Sequence, residues 1–326
     1  MRLAYLSDRI DRTHDLRFLD AWEASGVETL AVPVGSAHLE RELGRFAPDV
    51  VQAGPIGAVT AAVSQVWQGA LIVTSWGFDL IGPDRVDASL AERAIRRAEL
   101  LFVDNLAVER RVLELGAEPT GIARFAWGVD LARIGLTRRA RSNPAPTVVS
   151  ARSHEPLYDV GTAIRAIAIA RRSVPDLRAI IAGDGSETVH LRGLAHELGL
   201  DDSVEFVGRL AQTDLDAALA DSDVYLSASL TDGSSITLLE AMALGTRCCV
   251  SDIPGNAEWI DERTGWTFPV GDPTRAAAGI LAALNPEGDD RARAAAARVA
   301  AEADWAQTSA RLPALARHAI GRGAAS

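Results

Sequence analysis

The feature that most constrains this chain is an alternation. Short apolar runs take turns with longer segments of helical spacing, and the pattern occurs twice. In the first half the runs lie at 3–7, 28–32, 49–53, 70–75, 100–103 and 122–126. Helical segments follow at 15–25, from the Gly-Pro at 54 to about 67, at 89–98 and at 105–115. Leu16, Leu19 and Trp22 mark one face of the first segment, and Gly26 stops it. In the second half the runs at 147–151, 179–182, 204–207, 224–228 and 247–251 alternate with helical segments at 160–173, 187–198, 214–220 and 236–244. Helices at 273–284 and 289–303 follow. Strands apolar on both sides belong to parallel sheets covered by helices on each face. The stretch 131–146 has no apolar period, is rich in Arg and ends in Asn-Pro-Ala-Pro, as a linker does. The expected fold is therefore α/β: two Rossmann-like, doubly wound parallel-sheet domains, 1–130 and 147–303, facing a central cleft. Residues 304–326 are expected to form a terminal helix that packs back on the first domain.

Composition removes several function classes. The 33 basic residues against 44 acidic ones leave a net charge of −11, which argues against a nucleic-acid footprint or adhesion to an anionic membrane. Every basic residue is arginine; the chain contains no lysine. That excludes Schiff-base and pyridoxal phosphate chemistry and the lysine of a standard P-loop. The loop after the first strand carries no G-x-G-x-x-G, so a dinucleotide oxidoreductase is disfavoured. Cys248 and Cys249 are adjacent in a strand and point to opposite faces, so they read as buried filling rather than a disulfide or a metal pair. No apolar run approaches the roughly 18 residues of a membrane span. The N-terminus opens on a short strand followed by charge. A soluble, cytoplasmic protein without stable membrane insertion is the expectation.

Doubly wound sheets bind ligands at the carboxyl ends of their strands, and the candidate site residues all fall there. Asp8, Arg9 and His14 follow the first strand, and the SWGFD at 75–79 supplies Trp76 and Asp79. Arg152, the Gly183 and Gly185 turn, Arg209, and Asp232 with Glu240 belong to the second half. The loop at 231–235 is rich in Gly and Ser and opens the helix at 236–244. The backbone N–H groups of Gly233, Ser234, Ser235 and Ile236 there suit an anion. Two acids beside an anion loop suggest a phosphate-bearing ligand with a polyol part. Plainer roles stay open on spacing alone. Asp232 can cap the helix, Glu240 can lie on a solvated face, and Arg152 can pair with Glu155 or Asp159. Trp76 can pack in the core, Asp79 can be an N-cap, and Gly183 and Gly185 can simply form a turn. Lone loop histidines such as His14 and His154 read as solvated. No His, Cys or Asp cluster has metal-ligand spacing, so no metal is expected.

At this point the second half resembles a known family, the retaining GT-B glycosyltransferases of family four, or glycosyl transferases group 1. That family carries an acid, seven residues, then a Glu, in a frame like S-x-x-E-G-x-x-x-x-x-L-E-A-M-A-x-G. Here the frame reads Ser229, Asp232, Gly233, Leu239, Glu240, Ala241, Met242, Ala243, Gly245. The SDIPGNAE at 251–258 matches the next block, Gly183-Asp184-Gly185 the family's G-x-G turn, and Phe206-Val207-Gly208 a strand end. Gly128-Val129-Asp130 resembles the end of the N-terminal domain. The likeness is strong over 147–272 and looser before it.

The resemblance implies a hexosyltransferase-type enzyme moving a sugar from a nucleotide-sugar donor, UDP- or GDP-linked, with retention and without metal or other cofactor. The acceptor would be a small molecule, a glycan or a lipid-linked group, and the first domain would form its side of the cleft, with Asp8, Arg9, His14 and Asp79. Glu240 would hold the ribose hydroxyls, Asp232 would lie by the donor sugar, and Gly233, Ser234, Ser235 and Ile236 would face the diphosphate. Arg152 would neutralise the leaving group, and Arg209 with Gly183 and Gly185 would lie near the base. Three positions depart from the family pattern. Asp232 replaces a Glu, no lysine follows Arg152, and Trp76 stands where many members place a sugar-contacting His. Trp76 could stack on a sugar face there. The alternative implied by these departures is a GT-B nucleotide-sugar protein with other chemistry (epimerase-like, or coupling to a non-sugar), or a non-catalytic binder.

Overall fold

The computed structural model describes the chain except residues 9, 11–12, 36–37, 84, 138–143, 286–289 and 325–326, and the side chains at 13 and 14. It divides into two units, Met1–Trp127 with Trp305–Ser326, and Gly128–Asp304.

The first unit is built on six parallel strands: β1 (Arg2–Ser7), β2 (Glu28–Pro33), β3 (Val50–Ala53), β4 (Ala70–Thr74), β5 (Leu100–Val103) and β6 (Ile122–Arg124). Their order is β2-β1-β3-β4-β5-β6. The helices are α1 (Thr13–Ala24), α2 (Leu39–Phe46), α3 (Ala58–Val66), α4 (Phe78–Ile81), α5 (Ala88–Arg97) and α6 (Leu106–Glu114). Strands β3, β4 and β5 are buried along their whole length, as their mostly apolar sequence requires. A polar ladder crosses the sheet where the sequence places Gln and Thr in strands. The Trp22 indole donates to Gln52 Oε1 at 2.8 Å, and Gln52 Nε2 donates to Thr74 Oγ1 at 3.0 Å. The chain ends of β4, β5 and β6 carry an aromatic cluster. Phe18 lies at its centre, with Trp76, Phe102, Trp127 and Trp305 rings 5.3–6.2 Å away.

The second unit has its own six parallel strands: β7 (Thr147–Ala151), β8 (Arg178–Ala182), β9 (Val204–Gly208), β10 (Val224–Ser227), β11 (Arg247–Ser251) and β12 (Trp266–Phe268). Their order is β12-β11-β10-β7-β8-β9. Its helices are α7 (Leu131–Thr137), α8 (Val160–Arg171), α9 (Thr188–Glu197), α10 (Gln212–Ala220), α11 (Ile236–Leu244), α12 (Pro254–Ala257), α13 (Pro273–Leu284) and α14 (Arg291–Glu302). The last helix, α15 (Trp305–Gly323), belongs to the first unit, where it packs on α1 and β4. Alanine and isoleucine on α8 meet the sheet and α13 in one continuous core. The strand order reverses between β7 and β10, which are hydrogen-bonded neighbours. That is the switch point at which doubly wound sheets open a crevice.

Several elements differ from the sequence expectation, the short α4 among them. Residues 131–137, placed in a linker, form α7, whose Asp130 accepts a hydrogen bond from Arg133 N–H at 3.0 Å and so starts the helix. Ile134 is its one buried side chain, which is too little for an apolar period to show. Helix α2 and strand β12 were not expected. The first has only Leu39 and Leu43 buried, and the second is a three-residue edge strand. Among the described residues no helix is long and apolar enough to cross a membrane.

Candidate functional site

The switch point of the second unit brings two loops together. Strand β7 ends at Ala151 and delivers Arg152; β10 ends at Ser227 and delivers the loop to α11. Arg152 Nη1 donates to Ser235 Oγ at 2.7 Å, and Nη2 donates to the Asp232 carboxylate. The guanidinium also stands 4.3 Å from the centre of the Tyr158 ring. Burial works against its charge. The Asp232 carboxylate, with Tyr225 and Tyr158, outweighs that and holds the arginine protonated more firmly than usual. Ser235 is the N-cap of α11, its hydroxyl facing Leu238 N–H at 3.4 Å. The N-terminus of α11 therefore ends beside a fixed, half-buried cation. Dipole and charge there have the same sign, and both favour an anion.

The loop is held from behind by the second motif block. Ser251 Oγ donates to the Ser229 carbonyl at 2.6 Å, and Asn256 Nδ2 donates to the Ser251 carbonyl at 2.9 Å. A Cβ at Gly255 would overlap the Gly233 carbonyl oxygen, so only glycine lets α12 approach the loop this closely. Asp232 is not a helix cap; its carboxylate faces Arg152.

Glu240 lies about 7 Å further along α11, at 1.5 Å per residue. It is 3 % exposed, not on a solvated face, and its Oε1 accepts from Arg133 Nη2 at 2.8 Å and from Gln212 Nε2 at 3.0 Å. Arg133, Gln212 and Asp216 carried no signal in the sequence. Arg133 fell in the supposed linker, and the other two are ordinary polar residues of a short helix.

The Gly183-Asp184-Gly185 turn after β8 crosses the loop after β7. His154 N–H donates to the Asp184 carbonyl at 3.0 Å, and Gly183 N–H donates to the Gly208 carbonyl at 2.8 Å. The Thr188 hydroxyl and the Gly185 N–H hold the Asp184 carboxyl below its usual range, and Arg209, which follows on the exposed side, adds a smaller effect. Glu155 accepts from Ser186 N–H at 3.0 Å and from its hydroxyl, rather than pairing with Arg152. His154, expected to be solvated, is 1 % exposed. Its Nδ1 lies 2.9 Å from Thr188 Oγ1, its ring stands edge-on to Phe206, and burial depresses its pKa.

In the first unit, Trp76 is 7 % exposed, with its ring 5.5 Å from Trp127 and 6.0 Å from Phe18. Asp79 is buried in the first turn of α4 and is not an N-cap; Gly77 holds that position. Its carboxylate accepts from Ser75 Oγ at 2.6 Å and from Ile56 N–H at 2.8 Å, tying two strand-end loops together. Burial raises its pKa from 3.8 to about 6 despite these bonds. Asp8 is exposed at the end of β1, 3.4 Å from the Ser7 hydroxyl. Arg9 and the His14 side chain lie outside the described residues.

The family model for glycosyl transferases group 1 matches residues 138–300, half of the chain. The chain belongs to this family. The matched region holds Arg152, the Gly183–Gly185 turn, Asp232 and Glu240. A glycogen synthase of Mycobacterium tuberculosis is 32% identical over 222 residues, covering 65% of this chain and 52% of the relative. The group 1 chain thus spans about half the length of that curated relative. In fold it is similar to HepE of Anabaena in complex with UDP-glucose, at TM-score 0.78 and 16% identity, covering 96% of this chain and 99% of the other. It is also similar to sucrose-phosphate synthase of Thermosynechococcus elongatus, at TM-score 0.80 and 17% identity, covering both chains fully at 100%. Two doubly wound parallel-sheet units are the GT-B architecture of these glycosyltransferases.

Proposed function

We propose that this group 1 protein transfers a hexosyl group from a nucleotide-sugar donor to an acceptor hydroxyl, with retention and without a metal ion. The observation that carries this reading is the pairing of a half-buried Arg152 with the N-terminus of α11 at the switch point, with the buried Glu240 further along the same helix. A donor diphosphate matches the first feature, and a ribose diol matches a carboxylate that can accept two hydrogen bonds. HepE, similar in fold, is in complex with UDP-glucose, and the donor is read as a uridine or guanosine diphosphate sugar.

In the reaction the bond between the sugar's anomeric carbon and the β-phosphate oxygen breaks. The acceptor oxygen bonds to that carbon on the same face, and the acceptor proton passes to the departing phosphate. Negative charge grows on the diphosphate as it leaves. Arg152 and the N–H groups of residues 233–236 would stabilise that charge, the guanidinium once Asp232 releases it. Asp232, which holds Arg152, would give up that contact to the diphosphate and turn towards the donor sugar. Arg209 and the Gly183–Gly185 turn would border the base. In the first unit, Asp8, Arg9 and His14 are the acceptor-side candidates, whereas the Asp79 carboxylate is taken up by Ser75 and the Ile56 N–H. On its burial, Trp76 supports the strand end from within the aromatic cluster.

Titration with UDP- and GDP-sugars, followed by thermal shift and by release of nucleoside diphosphate in the presence of candidate acceptors, tests the reading. A donor is expected to raise the melting temperature, and Glu240→Ala to weaken its binding by about tenfold or more, the loss of one or two hydrogen bonds to a charged group. Unchanged donor affinity in Glu240→Ala would remove the ribose assignment. No shift with any nucleotide sugar at millimolar concentration would remove the function itself.

A further inference from the structure

Glu240 does not stand alone on α11. Helix α7 packs against both α10 and α11, and its Arg133 reaches across to a carboxylate on each. One guanidinium nitrogen donates to Asp216 and the other to Glu240 Oε1 at 2.8 Å. Asp216 is fully buried and Glu240 nearly so, whereas the Arg133 side chain is 24% exposed. Gln212 completes the group, its amide nitrogen 3.0 Å from Asp216 Oδ1 and 3.0 Å from Glu240 Oε1. In the arrangement one guanidinium is forked between two buried carboxylates, with a neutral amide bridging the same pair.

Two carboxylates that share one amide repel each other, and burial makes that repulsion larger than in water. Among the described residues Arg133 is a cation bonded to both, and it offsets that repulsion. Its planar fork also fixes geometry, because two N–H vectors on separate nitrogens define where each acceptor oxygen must sit. A glutamate has three rotatable side-chain bonds. To accept two hydrogen bonds from a vicinal diol its carboxylate must be held in one plane, and the contacts to Oε1 provide that constraint. Asp216 in turn anchors the guanidinium from the far side, so the network would orient Glu240 even as ligand enters and leaves.

We propose that Arg133, backed by Asp216 and Gln212, is a positioning residue for Glu240 and thereby sets the preference of the site for ribose over 2′-deoxyribose. The inference rests on the donor reading above. It extends that reading to a residue in a stretch that the sequence presented as a linker.

The test uses the full chain and isothermal titration with two matched pairs, UDP against 2′-deoxy-UDP and GDP against 2′-deoxy-GDP. The wild type is expected to prefer the ribonucleotide of whichever pair it binds by about tenfold or more, one hydrogen bond to a buried carboxylate. In Arg133→Met the preference is expected to fall to within about twofold, less than half a kcal/mol. Because that variant leaves two buried acids without their cation, the double variant Arg133→Met/Asp216→Asn is made beside it. It removes one of the two carboxylates, and it is expected to fold and to show the same loss of preference. A structural role for Arg133 would weaken both members of a pair in proportion, so a wild-type ratio in the folded double variant overturns the proposal. Equal binding of both members by the wild type would instead overturn the assignment of Glu240 to ribose. No binding of any of the four would overturn the donor reading, and the inference with it.

Discussion

Asp79 shows how a single residue can mislead at a strand end. Its place beside Trp76 suggested a cleft residue, yet its carboxylate is spent on Ser75 and the Ile56 N–H. Burial keeps its proton on to about pH 6, whereas an unfolded aspartate releases it near 3.8. Between those values the folded chain holds the extra proton, so raising the pH favours the unfolded state. From about pH 4 to pH 6 this one group should cost the fold about 3 kcal/mol, and nothing further above that. Asp79→Asn keeps an acceptor for Ile56 N–H and removes the titration. Urea unfolding of both proteins at several pH values is expected to give a variant whose stability, relative to wild type, rises with pH up to about 6 and then levels off. A constant difference across that range would mean that the carboxyl is ionised throughout. The Arg152 and Asp232 pair is the converse case. There the identity of the partner was not legible, because Glu155 and Asp159 are nearer in sequence and Asp232 is reached only through the β7–β10 pairing. His154 was hidden for a related reason: a loop residue is buried only when another loop folds over it, and here the turn after β8 does so.

Among the elements, the two loops after β7 and β8 act as one piece. Gly183 has φ of +138°, and a Cβ there would overlap the Arg152 carbonyl oxygen. Gly183→Ala is therefore expected to destabilise the second unit by about 2 kcal/mol or more, from strained backbone plus displacement of the neighbouring loop. Since that loop carries Arg152, nucleoside diphosphate binding should weaken with it. Chemical unfolding and UDP titration of the variant check both parts. Retained affinity in a destabilised variant would show that the guanidinium is held by Asp232 and Ser235 alone. The glycines were visible in the sequence, and so was the Gly/Ser loop that opens α11, because turn chemistry is local. Helix α7 was not visible. It is seven residues long with one buried side chain, and its formation depends on packing against α10 and α11.

At the scale of the molecule, each unit closes its own hydrophobic core around its own sheet. A ligand gripped by Arg152, α11 and Glu240 should therefore protect the second unit first. Hydrogen exchange with UDP at about one hundred times its Kd is expected to raise the opening free energy of β7, β10 and α11 by about 2.7 kcal/mol. Strands β3 and β4 should change less, and protection confined to the first unit would contradict the placement of the donor site. What the sequence determined by itself was the alternation of doubly apolar strands with helices, and hence two parallel sheets, since apolar periodicity is written residue by residue. It also determined the acid, seven residues and Glu frame on one loop and helix, because those residues are neighbours in the chain. Only the tertiary structure decided which charges meet. Arg152 with Asp232 and Arg133 with Glu240 are separated by 80 and 107 residues. A cation's partner is chosen by distance and burial, which the folded sheet order sets and the linear order does not.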